Sequence, residues 1–132
     1  MGILIDSSAV IAAERGDLDL DAVLARPGDE ALGVAAITVS EVLYGVHRLS
    51  GLRRLRAQEF ADRWLGALPV IAFDVEAATV HATLAVDLGR AGLPMGAHDL
   101  IIAATAVRLG YAVATRDRRS FERIEGLDVE YW

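Results

Sequence analysis

The opening stretch, Gly2-Ile3-Leu4-Ile5-Asp6-Ser7-Ser8, limits the fold more than any other part of the chain. Ile3 to Ile5 form an aliphatic run with no polar alternation, the pattern of a strand covered on both faces in a parallel sheet. Asp6 then stands at the carboxyl end of that strand, and the two serines hand over to Ala9-Val10-Ile11-Ala12-Ala13 as a helix start. In open α/β sheets, binding sites form outside the carboxyl ends of the strands. The first strand therefore poses one question, which is whether other acids reach the same edge.

The length of 132 residues and a hydrophobic content of 54% predict a single domain over residues 1–132 with a substantial core. The net charge of -6 argues against a protein that coats nucleic acid through bulk positive charge. All thirteen basic residues are arginine, each a planar fork suited to phosphate or carboxylate. Cysteine is absent, which removes disulfides, thiol catalysis and cysteine-ligated zinc. No charged leader or long apolar segment precedes the first strand, so neither a signal peptide nor a membrane span is expected and the predicted location is cytoplasmic.

Strands and helices alternate along the rest of the chain. A helix from Ala9 to Arg15 stops at Gly16, and the acids at 17, 19 and 21 read as a solvated helix start. A loop at Arg26-Pro27-Gly28-Asp29-Glu30 precedes a second buried strand from Leu32 to Ile37. Thr38-Val39-Ser40-Glu41 then reads as a capping box, which by itself accounts for the glutamate, although a first-turn position after a strand also aims Glu41 at the edge that carries Asp6. The spacing predicts a longer helix over 52–68, with Trp64 in the core or an interface and the arginines of that helix as a solvated face. Val70 to Phe73 is the third strand, Asp74 the N-cap of the next helix, and His98 to Leu109 the last long helix, with Asp99 in its first turn. Both of these helices are apolar nearly all round, which predicts burial on more than one side and a homo-oligomer built on them. Tyr111 to Ala114 is the fourth strand, leading to Thr115-Arg116-Asp117, and an edge strand closes the chain at Asp128 to Trp132.

Asp6, Glu41, Asp99 and Asp117 thus each fall at a strand end or a helix start, and right-handed crossovers bring such positions to one edge. Two carboxylates about 4 Å apart repel by roughly 4 kcal/mol at an effective dielectric near 20, so the group calls for cations. Hard oxygen donors without His or Cys partners point to Mg2+ or Mn2+, and an ion that takes few protein ligands completes its shell on a substrate phosphate. Metal-assisted phosphodiester hydrolysis is the chemistry this implies. Each acid alone also has a structural explanation: dipole complementation for Asp99, a turn for Asp117.

Four motifs make the resemblance to a family specific. Ile-Asp-Ser-Ser at 5–8, Thr-Val-Ser-Glu-Val-Leu-Tyr-Gly at 38–45, His-Asp-Leu-Ile-Ile-Ala-Ala-Thr-Ala at 98–106 and Ala-Thr-Arg-Asp-Arg-Arg-Ser-Phe at 114–121 resemble, in order, those of PIN domains, most closely the VapC-type toxins of type II toxin-antitoxin modules. The resemblance spans nearly the whole chain and implies an α/β PIN-like fold: a twisted, mostly parallel sheet of four to five strands in an α/β/α sandwich. It implies an endoribonuclease dependent on Mg2+ or Mn2+, with Asp6 and Asp99 as metal ligands and Glu41 and Asp117 completing the catalytic four. Ser7 and Thr115 are implied as supporting hydrogen-bond donors. Arg116 is either a phosphate contact or a surface arginine, and His98 a bystander or loop contact. The last motif departs from the family's Thr-x-Asn-x-x-Asp-Phe, with Asp117 at the Asn position and Ser120 at the second Asp position, so either position is open to complete the site. The resemblance further implies a homodimer, a cognate VapB-like antitoxin that blocks the site, tRNA or rRNA as substrate, and DNA contact only through the antitoxin.

Other classes fit less well. A phosphoacceptor receiver domain needs a strand-end lysine, and nucleotide-binding folds need glycine-rich fingerprints; the chain has neither. The alternative that stays open is a catalytically weak interaction subunit, acting mainly through a DNA-binding antitoxin to autoregulate transcription. Mutually repelling acids gathered at one edge favour catalysis over a scaffold.

Overall fold

The computed structural model describes residues 1–132. Five strands run parallel: β1 (Gly2–Ile5), β2 (Ala31–Ala35), β3 (Val70–Ile71), β4 (Ala112–Thr115) and β5 (Val129–Tyr131), ordered β3-β2-β1-β4-β5. Six helices accompany them: α1 (Ser7–Glu14), α2 (Leu20–Leu24), α3 (Ala36–His47), α4 (Gly51–Ala67), α5 (Val75–Arg90) and α6 (Ala97–Leu109). A short 3-10 turn, Phe121–Arg123, precedes β5.

The unbroken aliphatic run of β1 follows from its central place. Leu4 faces one layer, packed in a cluster with Leu88, Leu100, Ile102 and Val113, while Ile5 faces the other, with Ala9, Val10, Val34 and Trp64. Both faces of the strand are covered by helices, so no polar residue is tolerated on either. Trp64 is 1% exposed, which places it in the core of the second layer. The three layers and the parallel sheet are the α/β/α sandwich that the sequence implied.

Strand order fixes where a site can form. From β1 the chain steps outward to β2 and β3, then crosses back to β4 on the opposite side of β1. The order reverses between β1 and β4, and such a switch point opens a crevice at the strands' carboxyl ends. Asp6 directly follows β1, and its backbone N–H donates to the carbonyl of Ala114 in β4 at 2.8 Å.

Two sequence expectations are corrected. The second strand ends at Ala35, two residues early, and α3 begins at Ala36 with Ala35 as N-cap. Thr38 is therefore inside the helix, fully buried with an unpartnered hydroxyl, and there is no capping box. Glu41 falls in the second turn, freed of its structural explanation. Helix α5 is also not buried on several sides within one chain: only Ala77 and Leu88 are covered, whereas Val75 is 82% and Val86 50% exposed. Its Asp74 N-cap is present as expected, accepting from the N–H of Ala77 at 2.8 Å. No helix is long and apolar enough to cross a membrane.

Candidate active site

The site is built outward from Asp6, which is 3% exposed. Its Oδ2 accepts from the Ser8 hydroxyl at 2.8 Å and from the Thr115 hydroxyl at 2.8 Å. Both protons are thereby directed at one oxygen, so the 3.1 Å approach of the two hydroxyls is a side-by-side contact. Thr115 Oγ1 in turn accepts from the N–H of Asp117 at 3.0 Å, and Ser8 Oγ from the N–H of Arg116 at 3.0 Å. The residues after β4 are thus tied to the residues after β1.

The other acids attach to this frame. Ser7 donates to Glu41 Oε2 at 3.3 Å, linking the start of α1 to α3. Nδ1 of His98 lies 3.7 Å from the same carboxylate, so His98 contacts the site rather than standing by. Ser120 donates to Asp117 Oδ2 at 2.8 Å, and its hydroxyl also stands against Asp99, which α6 presents in its first turn. The Arg119 N–H donates to Asp117 Oδ1 at 2.9 Å. All four acids predicted from the sequence therefore meet at one edge: hydroxyls bond Asp6, Glu41 and Asp117, and Asp99 lies near enough for Asp6 and Asp117 to repel its charge. Arg116 binds elsewhere: its guanidinium donates to the carbonyl of Asp17 at 3.5 Å.

Electrostatics separates the four. Burial pushes the Glu41 carboxyl above the ordinary range; Asp6 adds to this, while His98 and Ser7 oppose it. Burial likewise raises Asp99, with Asp6 and Asp117 adding repulsion against the relief from Ser120. Asp117 is held low, because the Arg119 N–H and the Ser120 hydroxyl favour its charged form. Asp6 Oδ1 and Glu41 Oε1 are buried and accept no hydrogen bond. A buried anionic oxygen without a partner is costly, and a divalent cation is the partner a set of carboxylate oxygens fits. No three of these side chains stand at the spacing needed to ligate one ion together.

Sequence reasoning missed Ser8 and gave Ser120 no bonding role. Ser8 lies two residues beyond Asp6, the spacing of a local side-chain bond, and that is the signal which could have found it. Ser120, at the position where the motif departs from the family pattern, joins the third and fourth acids instead of replacing one.

With the fold and edge in view, kinship can be read. The PIN domain family matches residues 3–127. Ribonuclease VapC1 of Rickettsia felis is 32% identical over 130 residues, 98% of this chain and 95% of that protein. The tRNA(fMet)-specific endonuclease VapC of Salmonella typhimurium is 32% identical over 99 residues, 75% of this chain and 74% of that protein. Among solved structures, DNA-bound VapBC from Salmonella typhimurium superposes with a TM-score of 0.85 at 26% identity, covering 100% of this chain and 98% of that one. The chain belongs to the PIN domain family, in its VapC ribonuclease branch.

Proposed function

We propose that this protein is the toxin of a type II toxin-antitoxin module, a cytoplasmic endoribonuclease dependent on Mg2+ or Mn2+. The observation that carries the reading is the pair of buried, unpartnered carboxylate oxygens on Asp6 and Glu41 within a set of four acids at one sheet edge. Asp6 and Asp99 are the residues that would hold the ion. When bound, it supplies the charge that acidifies a water and stabilises the attacking and leaving oxygens of an in-line displacement.

The chain's own groups do the rest. Hydrolysis adds water oxygen to phosphorus and expels one ester oxygen, so a proton leaves the attacking water and a proton from solvent reaches the leaving group. Glu41, whose raised affinity for protons comes chiefly from burial, orients the water and takes its proton. Asp117, held ionised, keeps the edge negative and fixes Ser120 against Asp99. Ser8 and Thr115 lock Asp6 through Oδ2 and leave Oδ1 free to bind.

The solved neighbour is a complex named VapBC and bound to DNA, which supports a VapB-like antitoxin as partner here, with DNA contact through that antitoxin. The name of the Salmonella relative supports a structured tRNA as the class of substrate. The exposed apolar face of α5 supports a homodimer.

The test is expression without antitoxin. The wild type should arrest growth and cut RNA, whereas Asp6→Asn and Asp99→Asn should do neither while keeping the far-UV circular dichroism of the wild type and binding antitoxin. Undiminished cleavage by either variant would reject the assigned site. A wild type that binds antitoxin and represses transcription, yet never cuts RNA, would establish the weak interaction subunit instead.

A further inference from the structure

Beyond the acidic edge, α3 carries a feature that hydrolysis alone does not use. Tyr44 lies one helical turn past Glu41, and 66% of its surface is exposed. A cavity of about 370 Å³ lies between the two, walled by Ile11, Ser40, Glu41, Tyr44 and His98. The guanidinium of Arg48 sits over the Tyr44 ring, 5.6 Å from its centroid. From Val42 to Gln58 the chain has no acid and four arginines, at 48, 53, 54 and 56, in a protein whose net charge is -6. All four are exposed and none pairs with a carboxylate. Arg48 caps α3 beside Tyr44, and Arg53, Arg54 and Arg56 lie in the first two turns of the following helix α4, so this stretch of an acidic protein carries a local positive charge.

We propose that Tyr44 is a stacking platform for the substrate nucleobase next to the scissile phosphate, with Arg48 beside the ring and the α4 arginines at 53, 54 and 56 supplying further positive charge for the RNA backbone. The inference rests on the ribonuclease reading above and adds a subsite to it. Three residues of helix rise carry Tyr44 about 4.5 Å along the axis from Glu41 and keep it on the same face of α3, so the ring borders the cavity that reaches the acidic edge. An aromatic face takes any base, and flanking cations hold the backbone, which is how unpaired strands are bound. The arginine over Tyr44 fixes the ring and enriches the stack. A peptide segment of a protein partner is the other candidate occupant; the unpaired positive charge favours a polyanion.

The test compares a short hairpin RNA containing the mapped cut site with the same RNA carrying an abasic sugar beside the scissile phosphate, on each side in turn. Stacking predicts that Tyr44→Ala lowers kcat/KM on the intact RNA by about five- to 150-fold. It should cost nothing further on one of the two abasic RNAs, while Tyr44→Phe stays close to wild type. Equal losses on intact and both abasic RNAs, or no loss on any, would overturn the subsite with the ribonuclease reading intact. So would a Tyr44→Ala protein that cuts RNA normally but loses antitoxin binding, since the ring would then serve the protein partner. A wild type that cuts no RNA would remove the subsite and the ribonuclease reading together.

Discussion

Thr115 shows how much of the site hangs on one buried hydroxyl. It donates to Asp6 Oδ2 at 2.8 Å, accepts from the Asp117 N–H at 3.0 Å, and is wholly buried. Thr115→Val keeps the shape and removes both bonds, leaving the Asp117 N–H without its acceptor and Asp6 Oδ2 held by Ser8 alone. The expected loss is about 1–3 kcal/mol of stability by chemical denaturation. RNA cleavage should fall about 10- to 100-fold, the usual effect of removing a group that orients a ligand. Thr38 makes the opposite case. Its hydroxyl is buried without a partner, so Thr38→Val should leave stability unchanged or raise it. A drop of about 1 kcal/mol would mean that the hydroxyl caps the helix after all. The motif around Thr115 points to its supporting role, but the sequence misplaces Thr38 as a cap, because the start of α3 at Ala36 puts that hydroxyl inside the helix.

At the scale of elements, β1 was legible because burial on both faces leaves a compositional trace: Leu4 and Ile5 feed different layers, and neither layer admits a polar residue. The end of β2 was not, because Ala35, Ala36 and Ile37 suit either state and local propensity does not choose between them. That two-residue slip turned Glu41 from an apparent cap into a second-turn residue facing the edge. Helix α5 was legible in part: its apolar residues imply a second cover, which a single chain does not supply. Helix α4 is secured from the other side by Trp64, packed against Ile5 and Val10 in the same cluster. Trp64→Ala should cost about 3–5 kcal/mol. A thermal shift too small for that cost would mean that the surrounding side chains collapse into the space the indole leaves.

For the whole molecule, the raised carboxyls of Glu41 and Asp99 link stability to pH and to metal. The folded chain binds protons at these two sites more tightly than the unfolded chain does, so their contribution is fullest below the ordinary carboxylate range. It is lost as pH rises through the raised values. Asp117 acts in the opposite sense: its contribution is present above the ordinary range and lost as pH falls through its lowered value. Protons compete with a divalent ion for the Asp99 carboxyl, whose affinity for them is raised by burial, so Mn2+ should raise Tm more at pH 7 than at pH 5. An excess of one hundred times Kd is worth about 2.7 kcal/mol. Equal shifts at both pH values, or an undiminished shift in Asp6→Asn, would place the ion elsewhere.

The most direct measurement is single-turnover cleavage of one structured RNA at pH 7 by the wild type and by Asp6→Asn, each with Mg2+ and with the ion chelated. Cuts at one position, made only by the wild type and only with Mg2+, are the predicted result. Cleavage that survives chelation, or that Asp6→Asn performs at the wild-type rate, would contradict it.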